Sequence, residues 1–134
     1  MAILIFENNA ILANDIKKNL IGERYDTLLI RVPSELPKDD EFWQGIELII
    51  LDLMMGNVEL PMDWKMKSEN GLITGYVVYE NMCPNKDIPV LVLTGLKNET
   101  LLKEVEKSIK RCAVVRKPIN YDKFLHTVKK LLER

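Results

Sequence analysis

The sequence predicts an α/β domain built on a parallel sheet, and two observations support this fold class. Five short apolar segments alternate along the chain with segments in which apolar residues recur at helical spacing. The densest apolar segment, residues 46–55, is a near-continuous run of Leu, Ile and Met, which is typical of a strand buried on both faces of a parallel sheet. Such alternation implies right-handed crossovers, with helices on both faces of the sheet.

The strand candidates are bounded by residues that interrupt regular structure. We predict strands over residues 2–6, 26–32, 88–93 and 112–115, and a central strand in the run 46–55 that carries Asp52 towards its carboxyl end. Pro33 ends the second of these strands and Lys117-Pro118 ends the fifth, because proline cannot donate to a sheet ladder.

Helices are predicted between the strands from the spacing of their apolar residues. They cover residues 11–22, a short irregular stretch within 34–45, and residues 71–82, 99–110 and 121–132. Asn8 or Asn9 is expected to cap the first helix, and Asn120 the last.

Residues 56–70 are predicted to form a long connection after the third strand. With the neighbouring Met54 and Met55, this segment supplies Met62, Trp64 and Met66, an apolar set that is unusual for a solvated loop. These side chains either pack onto the body of the domain or form a patch for a partner, and the sequence leaves both alternatives open.

The bulk properties are those of one domain of ordinary composition. The chain has 134 residues, of which 47% are hydrophobic and 29% charged, and its formal net charge is -1. This length can bury most of its apolar surface without disulfides. No apolar run is long enough to span a bilayer, and residues 1–6 lack the basic segment of a signal peptide, so we expect a cytoplasmic protein without membrane contact.

Charge is distributed unevenly along the chain. Residues 1–96 hold 8 Lys/Arg and 15 Asp/Glu, whereas residues 97–134 hold 11 and 5. The basic C-terminal third is either a surface for an acidic partner or a pair of solvated helix faces.

Polar residues follow four of the predicted strands. They are Glu7 and Asn8 after the first, Asp52 at the end of the third, Thr94 after the fourth and Lys117 after the fifth. Because parallel strands share one carboxyl edge, we expect these residues to gather around one crevice. A carboxylate nucleophile, oxygen ligands for a hard cation, a hydroxyl and an ammonium are the groups that phosphoryl transfer to an aspartate requires.

In this arrangement the chain resembles the response-regulator receiver family, the phosphoacceptor domains of two-component signal transduction. The matching motifs are Glu7-Asn8, Leu-Asp-Leu-Met-Met at 51–55, Leu-Thr-Gly at 93–95 and Lys117-Pro118. Their order and spacing match over nearly the whole chain, except for the longer loop after Asp52. The resemblance implies a flavodoxin-like, doubly wound five-stranded (βα)5 sheet with strand order 2-1-3-4-5. It also implies a single receiver-like domain over residues 1–134, without an output domain.

The resemblance implies a role for each residue at the edge of the sheet. Asp52 would accept a phosphoryl group from a phosphohistidine on a sensor histidine kinase or a phosphotransfer protein. Lys117 would pair with a phosphoryl oxygen, with Pro118 joined through a cis bond, and Thr94 would donate its hydroxyl. Mg²⁺ would be bound by Asn8, Asp52 and the backbone carbonyl of Met54, with Glu7 acting through water.

The resemblance also limits the activity and the partners. The domain would catalyse only its own aspartyl phosphorylation and slow dephosphorylation, and so would not be an enzyme acting on a separate substrate. It would signal through protein contacts with a downstream target, and we expect no direct binding of nucleic acid. The helices after the fourth and fifth strands carry most of the basic charge, and we expect them to contact a partner or to form a homodimer.

Four residues depart from the pattern of the family. Asn8 stands where the family has an aspartate, which removes one negative charge and should weaken Mg²⁺ binding. Val114 stands where the family has an aromatic switch residue. Met54 and Leu96 occupy the positions that flank the hydrolytic water, and since both are apolar we expect any aspartyl phosphate to be long-lived.

Two other interpretations compete with phosphoacceptance. The first is a pseudo-receiver, in which the same fold acts as a phosphorylation-independent protein-binding module; Asn8 and Val114 favour it. The second is an enzyme or flavin carrier on a similar sheet. A haloacid-dehalogenase-like hydrolase needs a second aspartate where Met54 stands, and a flavin carrier needs a phosphate-binding loop where Glu7-Asn8 stands.

Overall fold

The computed structural model describes residues 1–55, 59–69 and 71–133. Within these ranges five parallel strands form one sheet in the order β2-β1-β3-β4-β5. They are β1 (Ala2–Phe6), β2 (Thr27–Ile30), β3 (Ile46–Asp52), β4 (Val90–Thr94) and β5 (Cys112–Arg116). The predicted doubly wound, flavodoxin-like sheet is confirmed, and β3 lies at its centre between β1 and β4.

Six helices of the described chain surround this sheet. They are α1 (Ala10–Gly22), α2 (Asp40–Gln44), α3 (Met62–Lys67), α4 (Thr74–Met82), α5 (Glu99–Ser108) and α6 (Tyr121–Leu132). Asn9, Asn98 and Asn120 cap α1, α5 and α6, because each side-chain oxygen accepts a backbone N–H in the first turn. None of the helices in the described ranges is long and apolar enough to cross a membrane.

The apolar core consists of two layers, one on each face of the sheet. Alternate residues of one strand enter different layers, as Ile49 and Leu51 enter one and Leu48 and Ile50 the other. Helices α4 and α5 contribute to the first layer, and α1 and α6 to the second. Because both faces are covered, the strands read as continuous apolar runs.

The predicted connection over residues 56–70 contains a helix that periodicity did not indicate. Helix α3 has only six residues, which is too short for a helical repeat to appear in the sequence. Residues 56–58 and 70 of this connection lie outside the described residues. Helix α4 begins at Thr74, three residues later than predicted, because Gly71 adopts a positive φ of 85° and turns the chain before the helix starts.

The methionines and tryptophan near this connection divide between the two predicted alternatives. Met55 is buried and Trp64 packs against the core, whereas Met62 and Met66 are 71% and 78% exposed. Met54 is also exposed. Part of the set therefore anchors the connection, and part of it faces solvent.

The second strand is shorter than predicted for a local reason. The Glu35 carboxylate accepts hydrogen bonds from the backbone N–H groups of Arg31 and Val32, at 2.9 and 3.1 Å. The Val32 N–H, which lies on the side of β1, is thereby diverted from the sheet, and β2 ends at Ile30.

Candidate functional site

Asp52 is the last residue of the central strand β3, and its side chain is only 2% exposed. Leu93 of β4 lies opposite it in the register. The apolar run before Asp52 forms the strand, and the run ends at a carboxylate that remains inside the protein. A buried carboxylate at this position requires a compensating partner.

Lys117 is that partner. It directly follows β5, and its Nζ lies 3.0 Å from Asp52 Oδ1. The Lys117 backbone N–H donates to the Thr94 carbonyl oxygen at 2.9 Å, which holds the start of this loop against β4. The Lys117-Pro118 peptide bond is cis, in agreement with what the resemblance implied.

Glu7 brings a second carboxylate to the same ammonium group. It directly follows β1, is 1% exposed, and places Oε1 3.5 Å from Lys117 Nζ. Burial raises the pKa of Glu7 to about 7, and its hydrogen bond with Asp52 and the charge of Asp52 act in the same direction. The charge of Lys117 and the N–H of Asn9 oppose this rise in pKa. Glu7 therefore keeps its proton to a higher pH than an exposed glutamate does, because it is buried beside Asp52.

Thr94 is fully buried at the end of β4 and joins the site through the backbone. Its hydroxyl oxygen accepts a hydrogen bond from the Leu96 N–H at 2.8 Å, and its carbonyl oxygen accepts from the Lys117 N–H. The sequence-predicted residues Glu7, Asp52 and Lys117 therefore form one contacting cluster, with Thr94 attached on the Lys117 side.

Asn8 and Met54 border this cluster. Asn8 is partly buried directly after Glu7, and the Met54 side chain is 41% exposed two residues beyond Asp52. Leu96, in contrast, is 3% exposed and belongs to the apolar core. Of the two positions expected to flank a hydrolytic water, only Met54 presents its side chain to solvent in this structure.

The oxygen donors at the site are of the kind that a hard divalent cation prefers. Within the described chain Glu7 Oε1 is buried without a hydrogen-bond partner, and burial, together with the neighbouring Asp52 carboxylate, raises the pKa of Glu7. Both observations fit a site that an added positive charge would stabilise. The described residues contain no group of three or more Asp, Glu, His or Cys that could hold a metal ion, so the other oxygen ligands would be neutral.

Two residues near the site, Gly75 and Arg116, were not predicted from the sequence to belong to it. Gly75 in the first turn of α4 donates its N–H to the Leu53 carbonyl oxygen at 3.0 Å, and an added Cβ there would lie 1.9 Å from the Asp52 carbonyl oxygen. A glycine inside a helical pattern is a signal for such close backbone approach. Arg116, next to Lys117, holds the loop after Thr94.

Comparison with known proteins was made by sequence and by structure. No protein-family description matches the sequence. No curated protein is significantly similar to it in sequence.

Solved structures, in contrast, match nearly the whole chain. A putative response regulator from Chloroflexus aurantiacus matches with a TM-score of 0.71 and 17% identity, over 99% of this chain and 98% of that one. A CheY-like response regulator receiver domain protein from Methanospirillum hungatei matches with a TM-score of 0.68 and 15% identity, over 98% and 92%.

NtrX from Brucella abortus matches with a TM-score of 0.75 and 14% identity, over 98% of this chain. The chain spans only 26% of the length of that protein. Since the likeness is of structure at low identity, it concerns the fold. The chain has the fold of the response-regulator receiver domain.

Proposed function

We propose that this chain is a receiver that accepts a phosphoryl group on Asp52. The donor would be a phosphohistidine on a sensor histidine kinase or a phosphotransfer protein. The observation that carries the proposal is the contact of 3.0 Å between Lys117 Nζ and the buried Asp52 carboxylate, at the carboxyl edge of a receiver fold.

The chemistry is a transfer between two nucleophiles. An Asp52 carboxylate oxygen attacks the phosphorus, a P–O bond forms and the P–N bond of the phosphohistidine breaks. The imidazole leaves with the electron pair of that bond and takes up a proton. Lys117 would neutralise an oxygen of the incoming group, and the contact between its ammonium and Asp52 supports this role.

Thr94 and the carboxylates complete this proposal. The Thr94 hydroxyl would donate to a second phosphoryl oxygen, which its position beside the Lys117 loop supports. Asn8, Asp52 and the Met54 carbonyl would hold Mg²⁺, with Glu7 acting through water; when bound, the ion would offset repulsion between the anionic nucleophile and the phosphoryl group.

The signal would pass to a downstream protein through the helices α5 and α6. These helices and the neighbouring β5 carry most of the basic residues of the C-terminal third, and exposed lysines lie on both helices. A kinase, a downstream target or a second copy of the chain would find complementary contacts there through acidic groups.

The proposal is tested by the intact mass of the protein after incubation with Mg²⁺ and acetyl phosphate. We expect the mass to rise by one phosphoryl group. Asp52→Asn should abolish this rise, whereas Asp87→Asn, at an exposed carboxylate paired with Lys110, should retain it.

The mass measurement, combined with beryllofluoride binding, can also contradict the proposal. If wild-type protein gains no mass and shows no structural response to beryllofluoride, phosphoacceptance is wrong. The phosphorylation-independent binding module then becomes the better account of the fold.

A further inference from the structure

The connection between β4 and α5, residues 95–98, is held from the neighbouring strand by Arg116. Arg116 Nη1 donates to the Leu96 carbonyl oxygen at 2.9 Å. Its Nη2 forms an ion pair with the Glu99 carboxylate in the first turn of α5. Because Arg116 lies opposite Thr94 in the register of β4 and β5, one side chain spans the whole connection that follows Thr94.

Leu96 links this arginine to the Thr94 hydroxyl. The Leu96 N–H donates to Thr94 Oγ1 at 2.8 Å, while the carbonyl oxygen of the same residue accepts from Arg116. The Leu96 side chain is buried in the core and adds a third attachment. The backbone position of Leu96 is thereby fixed on both sides.

The fixed N–H of Leu96 restricts the direction in which the Thr94 hydroxyl donates. A threonine hydroxyl carries one proton and two acceptor lone pairs. When one lone pair is held by a stationary N–H, the remaining O–H directions are limited. A group that fixes Leu96 therefore also limits where the Thr94 proton points.

We propose that Arg116 is a positioning residue for the Thr94 hydroxyl. The inference rests on the proposed phosphoryl acceptance at Asp52, and it names a second residue on which that site depends. By immobilising Leu96, Arg116 keeps the Thr94 O–H preorganised to donate to a phosphoryl oxygen. Arg116 itself contacts the loop and not the phosphoryl group.

A double-substitution cycle on beryllofluoride binding tests this role. Beryllofluoride serves as the phosphoryl mimic, and its affinity is measured by calorimetry with Mg²⁺ present. Thr94→Ala should weaken binding about tenfold, since it removes a hydrogen bond to a charged group. Arg116→Met should weaken binding about threefold, and the double variant should bind no more weakly than Thr94→Ala.

Two controls, Thr94→Ser and Lys110→Met, test whether the effect of Arg116→Met depends on the Thr94 hydroxyl. In Thr94→Ser, which keeps the hydroxyl, Arg116→Met should still weaken binding about threefold. Lys110→Met removes a cation from an exposed ion pair with Asp87 and should leave the affinity unchanged. Circular dichroism checks that each variant is folded.

Two results would overturn the role of Arg116 alone. One is an Arg116→Met protein that binds beryllofluoride as tightly as wild type. The other is an equal loss on Arg116→Met with and without the Thr94 hydroxyl, because an effect of charge or of general stability would act independently of Thr94. A wild-type protein that binds no beryllofluoride and also gains no mass from acetyl phosphate would instead overturn the proposed function, and this inference with it.

Discussion

We expect Gly75 to be important for the stability of the protein, because helix α4 packs against the backbone of the central strand at this residue. It lies in the first turn of α4, and its ideal Cβ position is 1.9 Å from the carbonyl oxygen and 2.9 Å from the carbonyl carbon of Asp52. The obstructing atoms belong to the backbone of the central strand, so no side-chain rotation relieves the overlap. In Gly75→Ala the helix must therefore move away from β3 by about 1 Å.

The expected loss of stability combines three effects. Overpacking against a rigid neighbour costs about 3 kcal/mol. The hydrogen bond from the Gly75 N–H to the Leu53 carbonyl oxygen, now 3.0 Å, would lengthen at a cost of about 1 kcal/mol. Alanine is the better helix former by about 1 kcal/mol, which offsets part of this loss. We expect the free energy of unfolding to fall by about 3 kcal/mol.

Urea unfolding followed by circular dichroism measures this change. Gly22→Ala is the matched control, because Gly22 ends α1 and an added Cβ there meets nothing within 4 Å. We expect that variant to be as stable as wild type or slightly more stable. If Gly75→Ala lies within about 0.5 kcal/mol of Gly22→Ala, the close approach of α4 to Asp52 is wrong.

Three further predictions concern the site itself. Glu7 holds a proton more tightly when folded, with a pKa of about 7 against 4.5, so the free energy of unfolding should fall as pH rises from about 4.5 to 7. Urea unfolding in the presence of a chelator tests this: Glu7→Gln should be as stable as wild type near pH 4.5 and more stable at pH 8. Equal stability of the two proteins at both pH values would contradict the raised pKa of Glu7. Asn8→Asp restores a carboxylate and should tighten Mg²⁺ binding about tenfold by calorimetry, and an unchanged affinity would place Asn8 outside the metal site. Met54→Asn offers an amide to orient water and should shorten the half-life of an aspartyl phosphate at Asp52, measured by intact mass, about tenfold; an unaltered half-life would show that Met54 does not limit hydrolysis.

The sequence was sufficient where local patterns determine structure. Continuous apolar runs predicted the buried strands. Asparagines before apolar periodicity predicted two helix caps, Asn120 for the last helix and either Asn8 or Asn9 for the first, and the structure shows Asn9. Asp52 and Lys117 were predicted to share one edge because parallel strands share a direction, and the structure brings them into contact. The strand order was inferred from the resemblance, because periodicity alone does not show which strands are adjacent in the sheet.

The contacts that refine the site depend on tertiary placement. The raised pKa of Glu7 follows from its burial, which the sequence does not display, and from the nearby Asp52. In the sequence Arg116 is one of several basic residues in the C-terminal third, and only the fold shows that it lies opposite Thr94. Leu96 stands at a position that flanks the hydrolytic water in the family, and tertiary packing buries its apolar side chain in the core.

The strands that carry Asp52 and Lys117 should differ in how easily they unfold locally, because one is central in the sheet and the other is at its edge. Asp52 ends β3, which has a hydrogen-bonded neighbour on each side. Lys117 follows β5, which in the described part of the chain pairs only with β4. We expect slow amide hydrogen exchange along β3 and faster exchange along β5. Local fraying of β5 would move the Lys117 ammonium away while the Asp52 carboxylate stays in place. The net charge around Asp52 would then change without global unfolding.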